Sequence, residues 1–293
     1  QRWWCNFCKR SFGRKSKRRR QSREQVWFKR WIVEGYSVRQ LVGQSGHSRS
    51  KLFKIVNYWL NKIPNEQGLG LEKCRYLIFD GTFLHRPVSV VALMDAGTNT
   101  IIAGQYGVSE NSERQLRRFF KPLIARGLKP VSCTVDGNPQ AIRVITMLWP
   151  GIIIQRCVVH IQRQGLMWCR RHPKTVYARR LRDIFLKVSK IKTKEERDEL
   201  LNMIYQWEQR YGQCIMLKPE KGRVFSDIKR ARSMLLKALP YMFQYLDDPN
   251  ISHTTNGLEG YFARLKGHYR RHRGLPKKKL NSYFNWYFFY KPK

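Results

Sequence analysis

The stretch "RYLIFDGTF", residues 75–83, is an apolar run that leads into Asp80-Gly81. Such a run, bounded by a turn dipeptide, predicts a buried strand. The arrangement recurs in "PVSCTVDGN", residues 130–138, where the run ends in Asp136-Gly137. Strand ends are where an α/β sheet gathers its functional groups, and glycine lets a metal ion, a water or a phosphate approach the backbone. Asp-Gly is also a common turn dipeptide, so either instance alone reads as a turn. Two of them at matching ends of predicted strands point to one shared carboxylate site.

The segments around them supply the rest of a sheet. "VSVVALMDAGTNTIIAGQYGV" (88–108) reads as two strands about the turn "DAGTN". "SERQLRRFFKPLIARG" (112–127) is an amphipathic helix from Ser112 to about Gly127. Pro139, in a first helical turn, opens "PQAIRVITMLWP" (139–150), and "GIIIQRCVVH" (151–160) is a further strand. Three strands, then a helix, a strand, a helix and a strand, make the fold class α/β with a ribonuclease-H-like mixed sheet. A doubly wound sheet would want a helix after its first strand. In the mixed sheet the first and fourth strands are neighbours, which brings Asp80 and Asp136 together. Residues 161–250 are helical in texture, and "KTKEERDELLNMIYQWEQRYG" (192–212) starts on a Thr193/Glu196 capping box. They read as an all-α insertion.

Composition narrows the partner. The 293 residues carry 58 Lys+Arg against 20 Asp+Glu, a formal net charge of +38, with 42% hydrophobic residues. A chain this apolar folds, and a folded protein this basic faces a polyanion, nucleic acid first. No segment approaches the ~18 unbroken apolar residues of a membrane span, and "QRWWCNFCKRSFGRKSKRRR" (1–20) lacks the apolar core of a secretory signal. Seven cysteines without a regular pattern suit a reducing interior and a cytoplasmic location. Cys5 and Cys8 share a C-x-x-C spacing, half of what a structural zinc site needs. "WWCNFCKRSF" (3–12) resembles the second knuckle of a zinc ribbon whose first knuckle would precede residue 1; otherwise it is a pair of free thiols.

After the basic run "RKSKRRR" (14–20), "EQVWFKRWIVEG" (24–35) sets Val26, Phe28, Trp31, Ile32 and Val33 roughly on one helical face. "YSVRQLVGQSGHSRSKLFKIVNYWL" (36–60) reads as a short helix capped by Ser37, the turn "GQSG", and a longer helix capped by Ser48. Leu52, Ile55, Val56 and Trp59 form the buried stripe of that helix. The pattern is that of a helix-turn-helix DNA reader, with His47, Arg49, Ser50, Lys51 and Lys54 where contacts to DNA are made. A plain three-helix bundle has the same pattern. "NKIPNEQGLGLEK" (61–73) is a linker.

"SHTTNGLEGYFARLKGHYRRHRG" (252–274) places Glu259 at the head of a helix that is otherwise basic. Asn256 is its expected N-cap and Glu259 the partner three residues on, a pair worth ~1 kcal/mol. The alternative is that Glu259 is a third carboxylate beside Asp80 and Asp136, holding divalent cations that activate an attacking oxygen at a phosphodiester. Leu258, Phe262, Leu265 and Tyr269 would be the buried stripe, with Lys266 and Arg270 on roughly the face of Glu259. Arg264, Arg271 and Arg273 add to a basic surface suited to DNA, or to a merely solvated one.

"FDGTF" (79–83), "VDGNPQA" (135–141), "QRCVVHIQR" (155–163) and "TTNGLEGYFARLK…RRHRGL" (254–275), in this order, resemble the mutator-type DDE transposases of bacterial insertion sequences over about residues 76–280. The resemblance implies a ribonuclease-H-like domain interrupted by a helical insertion. It assigns Asp80, Asp136 and Glu259 to two Mg²⁺ or Mn²⁺ ions, and Cys157 and His160 to a C-x-x-H motif that shapes the site or holds flanking DNA. Arg156 and Arg163 beside it are candidate phosphate contacts. It further implies water attack at the element end and transesterification into target DNA. Also implied are recognition of terminal inverted repeats by the helix-turn-helix and knuckle, assembly of at least a homodimer on paired ends, and action at the nucleoid of a bacterium. The organisation is then 1–20 partial zinc-ribbon knuckle and basic arm, 21–63 helix-turn-helix domain, 64–75 linker, 76–160 first part of the catalytic core, 161–250 insertion, and 251–293 last core helix and basic tail. The rival functions are a DNA-binding regulator descended from such an enzyme, and a structure-selective nuclease of the same fold.

Overall fold

Arg2–Trp4 (β1) and Ser11–Gly13 (β2) pair antiparallel around the two N-terminal cysteines. Three helices follow: Lys17–Val33 (α1), Val38–Ser45 (α2) and Arg49–Leu60 (α3). Next come the strands Tyr76–His85 (β3), Val88–Asp95 (β4) and Thr100–Tyr106 (β5). Helix Glu113–Ala125 (α4), strand Ser132–Val135 (β6), helix Pro139–Leu148 (α5) and strand Ile153–Arg156 (β7) complete the sheet and its cover. The computed structural model describes residues 2–13, 17–64, 70–217 and 223–293. Parts of the expected basic arm (14–16), linker (65–69) and insertion (218–222) lie outside the described residues.

The sheet has the order β5-β4-β3-β6-β7, antiparallel among the first three strands and parallel from β3 onward. It is a five-stranded mixed sheet in which the first and fourth of its strands in chain order are neighbours. Side chains alternate across a strand. Leu77 and Phe79 therefore face one side, where they form a core with Leu116, Phe120, Ala141 and Val144 of α4 and α5, and Ile78 and Asp80 face the other. Two strand boundaries differ from the sequence expectation. β3 does not stop at Asp80: it runs on to His85, with Asp80 opposite Ala92 and Thr82 opposite Val90, because β4 is long enough to pair the "GTF" residues. The parallel pairing with β6 ends earlier, at Ile78 and Thr134. β7 is also shorter than expected. The Cys157 amide still bonds the Val135 carbonyl (2.8 Å), but the Cys157 carbonyl already accepts from Ile161 (3.2 Å), so the chain turns into a helix there.

That helix, Val158–Cys169 (α6), starts a helical region with Val176–Val188 (α7), Lys194–Trp207 (α8), Gln213–Leu217 (α9) and Arg223–Ala238 (α10). The Thr193/Glu196 capping box is present on α8. Leu181, Phe185, Leu200, Ile204, Ala231 and Leu235 are among its core residues. Gly165 of α6 lies against the Phe185 ring so closely that a Cβ there would collide with it.

Ala263–Pro292 group with residues 1–67 as one compact unit, and residues 68–262 form the other. Most of the C-terminal segment groups with the N-terminal helices, while residues 251–262, with Glu259, group with the sheet. Helix Asn256–Arg270 (α11) bridges the two segments of chain, and Lys277–Tyr290 (α12) follows. In the first unit, Phe28, Trp31 and Ile32 of α1 are buried, as are Leu52, Ile55, Val56 and Trp59 of α3. Val26 is 53% exposed and outside the stripe assigned to it. The Trp286 indole of α12 donates to the carbonyls of Trp59 and Lys62, 3.0 Å each. α2 carries the Ser37 cap as a full capping box with Gln40, and Ser48 caps α3. The helix continues through Ser45, and Gly46 ends it at φ 65°, so the turn is shorter than "GQSG" implied. His272 is buried against Trp31 and Tyr283, and its Nε2 lies 3.0 Å from the Trp31 carbonyl.

Two glycine substitutions should act in opposite directions. Gly165→Ala should lower stability by about 1–3 kcal/mol by overpacking α6 against α7. Gly267→Ala, at a helical position with open space, should raise it by about 0.5–1 kcal/mol. Denaturant midpoints read both. Burial holds His272 down at about 4, against 6.5 when unfolded. Its contribution is therefore full above pH 6.5 and lost as pH falls toward 4, by about 2 kcal/mol between pH 7 and 5. In His272→Phe that component of the pH dependence should vanish.

Candidate active site

Asp80 sits on the sheet face away from α4 and α5, and is 6% exposed. Its Oδ1 accepts from the Gly81 amide at 2.8 Å. Asp136 follows the last residue of β6, and its Oδ1 accepts from the Asn138 amide at 2.9 Å. Asn138 then caps α5 with its own side chain. The turn needs Gly137: its φ is +105°, and a Cβ there would run into the Arg156 guanidinium. Arg156 in turn donates to the Asp136 carbonyl at 3.3 Å. A third acid joins them that the sequence reading passed over. Glu110 lies in the loop between β5 and α4, and Asp80, Glu110 and Asp136 each offer a carboxylate oxygen within 4.8 Å of the others. The only sequence signal was an acid in a short strand-to-helix loop on the same sheet.

Burying like charges together shows in their titration. Burial, then Asp136, pushes Asp80 up to about 7, with Glu259 adding to the push. Burial, then Asp136 and Asp80, pushes Glu110 up to about 8.

Glu259 lies in the first turn of α11. Its Oε1 is 3.5 Å from His160 Nε2, a charge contact too long for a good hydrogen bond, and its Oε2 is 3.5 Å from Arg163 Nη2. Asn256 is not the cap. The Thr255 carbonyl accepts from Leu258 (2.9 Å) and Glu259 (3.0 Å), so the cap position is Thr255 and Glu259 is one place further in than a capping box requires. Thr255 is held there because its buried hydroxyl is turned inward, 3.6 Å from Cys157 Sγ and 3.3 Å from His160 Nδ1. Cys157 and His160 are thus brought together, at the start of α6. Hydrogen bonding to Cys157 raises His160 to about 9. Burial pushes the Cys157 thiol up, but the hydrogen bonds of His160 and Thr255 outweigh it and leave it below its usual value.

The match to known families bears on this cluster. A model described as "Transposase, Mutator family" matches residues 75–224, which is half of the chain and contains Asp80, Glu110, Asp136, Cys157 and His160. The chain belongs to the Mutator family of transposases. The match stops short of Glu259. Among curated proteins no match was found.

For a transposase, the donors suit a hard divalent cation, which takes oxygen ligands. Three carboxylates converge, and Glu110 Oε1 and Glu259 Oε1 are both buried without a hydrogen-bond partner. The other expected residues belong to the first compact unit. Cys5 and Cys8 face each other in the β1–β2 turn, where the Cys8 backbone N–H draws the Cys5 thiol below its usual range. Arg49, Ser50 and Lys54 are exposed on α3, His47 sits edge-on to Trp27, and Lys51 is paired with Glu24 of α1. Arg271 donates to the Glu34 carbonyl at 3.0 Å; Arg270 and Arg273 are exposed and Lys266 is half-buried. No described helix is long and apolar enough to cross a membrane.

Without divalent cations the ionised Asp80 is a cost to the fold. Its raised value means the cost grows from about pH 4 and is complete above about 7. At pH 8 in chelator, Asp80→Asn should therefore be more stable than the unmutated protein by about 1–3 kcal/mol. Thermal melting with and without chelator checks this.

Proposed function

We propose that this member of the Mutator family is a DDE transposase of a bacterial insertion sequence, working on DNA in the cytoplasm, and that Asp80, Asp136 and Glu259 are its metal-binding carboxylates. The observation that carries the reading is the convergence of Asp80 and Asp136 on one edge of a mixed sheet, with the order β5-β4-β3-β6-β7 supporting a ribonuclease-H-like fold. Two Mg²⁺ or Mn²⁺ ions bound there would supply an activated attacking oxygen and neutralise the leaving oxygen. The protein's own part is positional. The sheet fixes the two aspartates, and His160 and Arg163 hold Glu259 at the start of α11. Arg156 and Arg163 supply positive charge beside the carboxylates for a phosphodiester; Arg264, Lys266 and Arg270 on α11, and Arg273 after it, are further DNA contacts on this reading.

α2 and α3, each capped by a serine and joined by a tight turn, support a helix-turn-helix role, with His47, Arg49, Ser50 and Lys54 at the DNA. Lys51, already paired with Glu24, serves more to fix α3 on α1. The antiparallel hairpin that presents Cys5 and Cys8 supports a zinc knuckle completed by two further ligands. Binding of terminal inverted repeats by these elements, as a dimer or larger assembly on paired ends, follows from the same reading. With a net charge of +38, affinity for DNA should fall steeply with salt.

The test uses the full chain on DNA carrying an element end. Glu259→Gln should fold and bind as before while Mg²⁺-dependent cutting drops by at least about a thousandfold. Cutting that survives would remove Glu259 from the site. Joining of the cut 3′ end to a second DNA separates a transposase from a nuclease, and binding without any cutting by the unmutated protein would mark a regulator.

A further inference from the structure

We propose that Glu110 is a fourth carboxylate of the metal site, coordinating a divalent cation together with Asp80 and Asp136. The inference rests on the metal-dependent reading above and adds a ligand outside its three acids. Its first support is distance: a carboxylate oxygen of Glu110 is within 4.8 Å of those of both aspartates, the spacing at which one cation can be shared. Its second is an orphan. Glu110 Oε1 is shut off from solvent and has no hydrogen-bond partner. Most buried polar atoms are paired, and a cation is a partner that this oxygen, aimed among two other carboxylates, could take.

The third support is the space made for it. A Cβ on Gly81 would lie 2.5 Å from the Glu110 carboxyl carbon and from Oε2. Gly81 is inside a strand, at an ordinary strand conformation, where glycine weakens the sheet and any side chain would pair better. Its missing side chain is what lets the Glu110 carboxylate lie against the β3 backbone next to Asp80. The loop is also pinned on both sides. The Ser109 amide donates to the Gln115 side chain at 2.7 Å, and Asn138, next to the Asp136 turn, donates to Asn111 Oδ1 at 3.0 Å. The segment that presents Glu110 is thereby tied to the segment that presents Asp136. In a chain with only 20 acids, a carboxylate anchored beside two others, with no ion pair of its own among the described residues and only the more distant charge of His160 acting on it, is placed for a cation rather than for an ion pair.

The experiment measures metal binding, not activity. The full chain is stripped with chelator and titrated with Mn²⁺ by calorimetry, and separately with Ca²⁺. Glu110→Gln should weaken Mn²⁺ binding roughly tenfold or more. It should melt no lower than the unmutated protein in chelator, since it removes a repelled charge. Gly81→Ala keeps all the acids but displaces the Glu110 carboxylate, and should weaken Mn²⁺ binding in the same direction. Unchanged Mn²⁺ affinity in Glu110→Gln overturns the assignment. So does a lower melting point in chelator with no loss of affinity relative to folded protein, which would make Glu110 structural. Asp80→Asn is the control for the underlying reading. If it too binds Mn²⁺ as before, or if the unmutated protein binds none, the metal site itself falls; if Asp80→Asn loses binding and Glu110→Gln does not, only the role of Glu110 falls.

Discussion

Everything at the site depends on the pairing of β3 with β6. The parallel ladder runs only from Tyr76–Ser132 to Ile78–Thr134. Just past its end, each strand carries an aspartate that the ladder has brought to the same edge. The register decides the outcome, because a shift of one residue would turn Asp80 to the helix-covered face where Phe79 and Phe120 pack. Isolated ionised carboxylates are expensive to bury. The hydrophobic core beneath the sheet supplies the stability against which Asp80, Glu110 and Asp136 are held together, and the raised titration of Asp80 and Glu110 is the trace of that opposition.

The return of the chain after the helical region is the second constraint. Polar side chains on the sheet receive it. Thr134 donates to the Ser252 carbonyl at 2.6 Å, and Gln155 to the Met242 carbonyl at 2.8 Å. The Val158 amide, at the start of α6, bonds the His253 carbonyl at 3.1 Å. Thr134 and Gln155 are fully buried, which is unusual for polar residues in strands and intelligible once their partners are backbone groups of the incoming segment. Cys157 and Thr255 finish the connection. The height of Glu259 above the sheet is therefore set by hydrogen bonds to a thiol and a histidine, and not by the packing stripe of α11 alone.

These features differ in how far the sequence discloses them. Strands, caps and the buried stripe of α3 are written in local patterns, so Ser37, Ser48, Thr193 and Leu52 can be read directly. The two Asp-Gly pairs are equally plain. What depends on long-range geometry is not. Glu110 becomes significant only once β5, α4 and the Asp136 turn are side by side, and "VSENSERQ" signals no more than an acid in a short strand-to-helix loop. The end of β3 could not be read because Asp80-Gly81 has turn chemistry, and only the length of β4 keeps it extended. Asn256 looked like the better cap because it is the better cap residue in isolation. Thr255 takes the position because its hydroxyl has partners contributed by a segment about a hundred residues earlier.

A protein with a net charge of +38 attracts a polyanion with its whole field, and that field does not distinguish one phosphate from any other. Local discrimination has to come from a region of opposite sign, small enough not to cancel the long-range attraction. A buried knot of acids meets that demand. Seen from a distance its charge is offset by neighbouring cations such as Arg156 and Arg163 and screened by salt, while inside, at low effective dielectric, it is strong. Arg156 illustrates the balance. Its guanidinium lies over Gly137 and bonds the Asp136 backbone carbonyl, close enough to offset the acids and yet leaving the carboxylate oxygens themselves to another ligand.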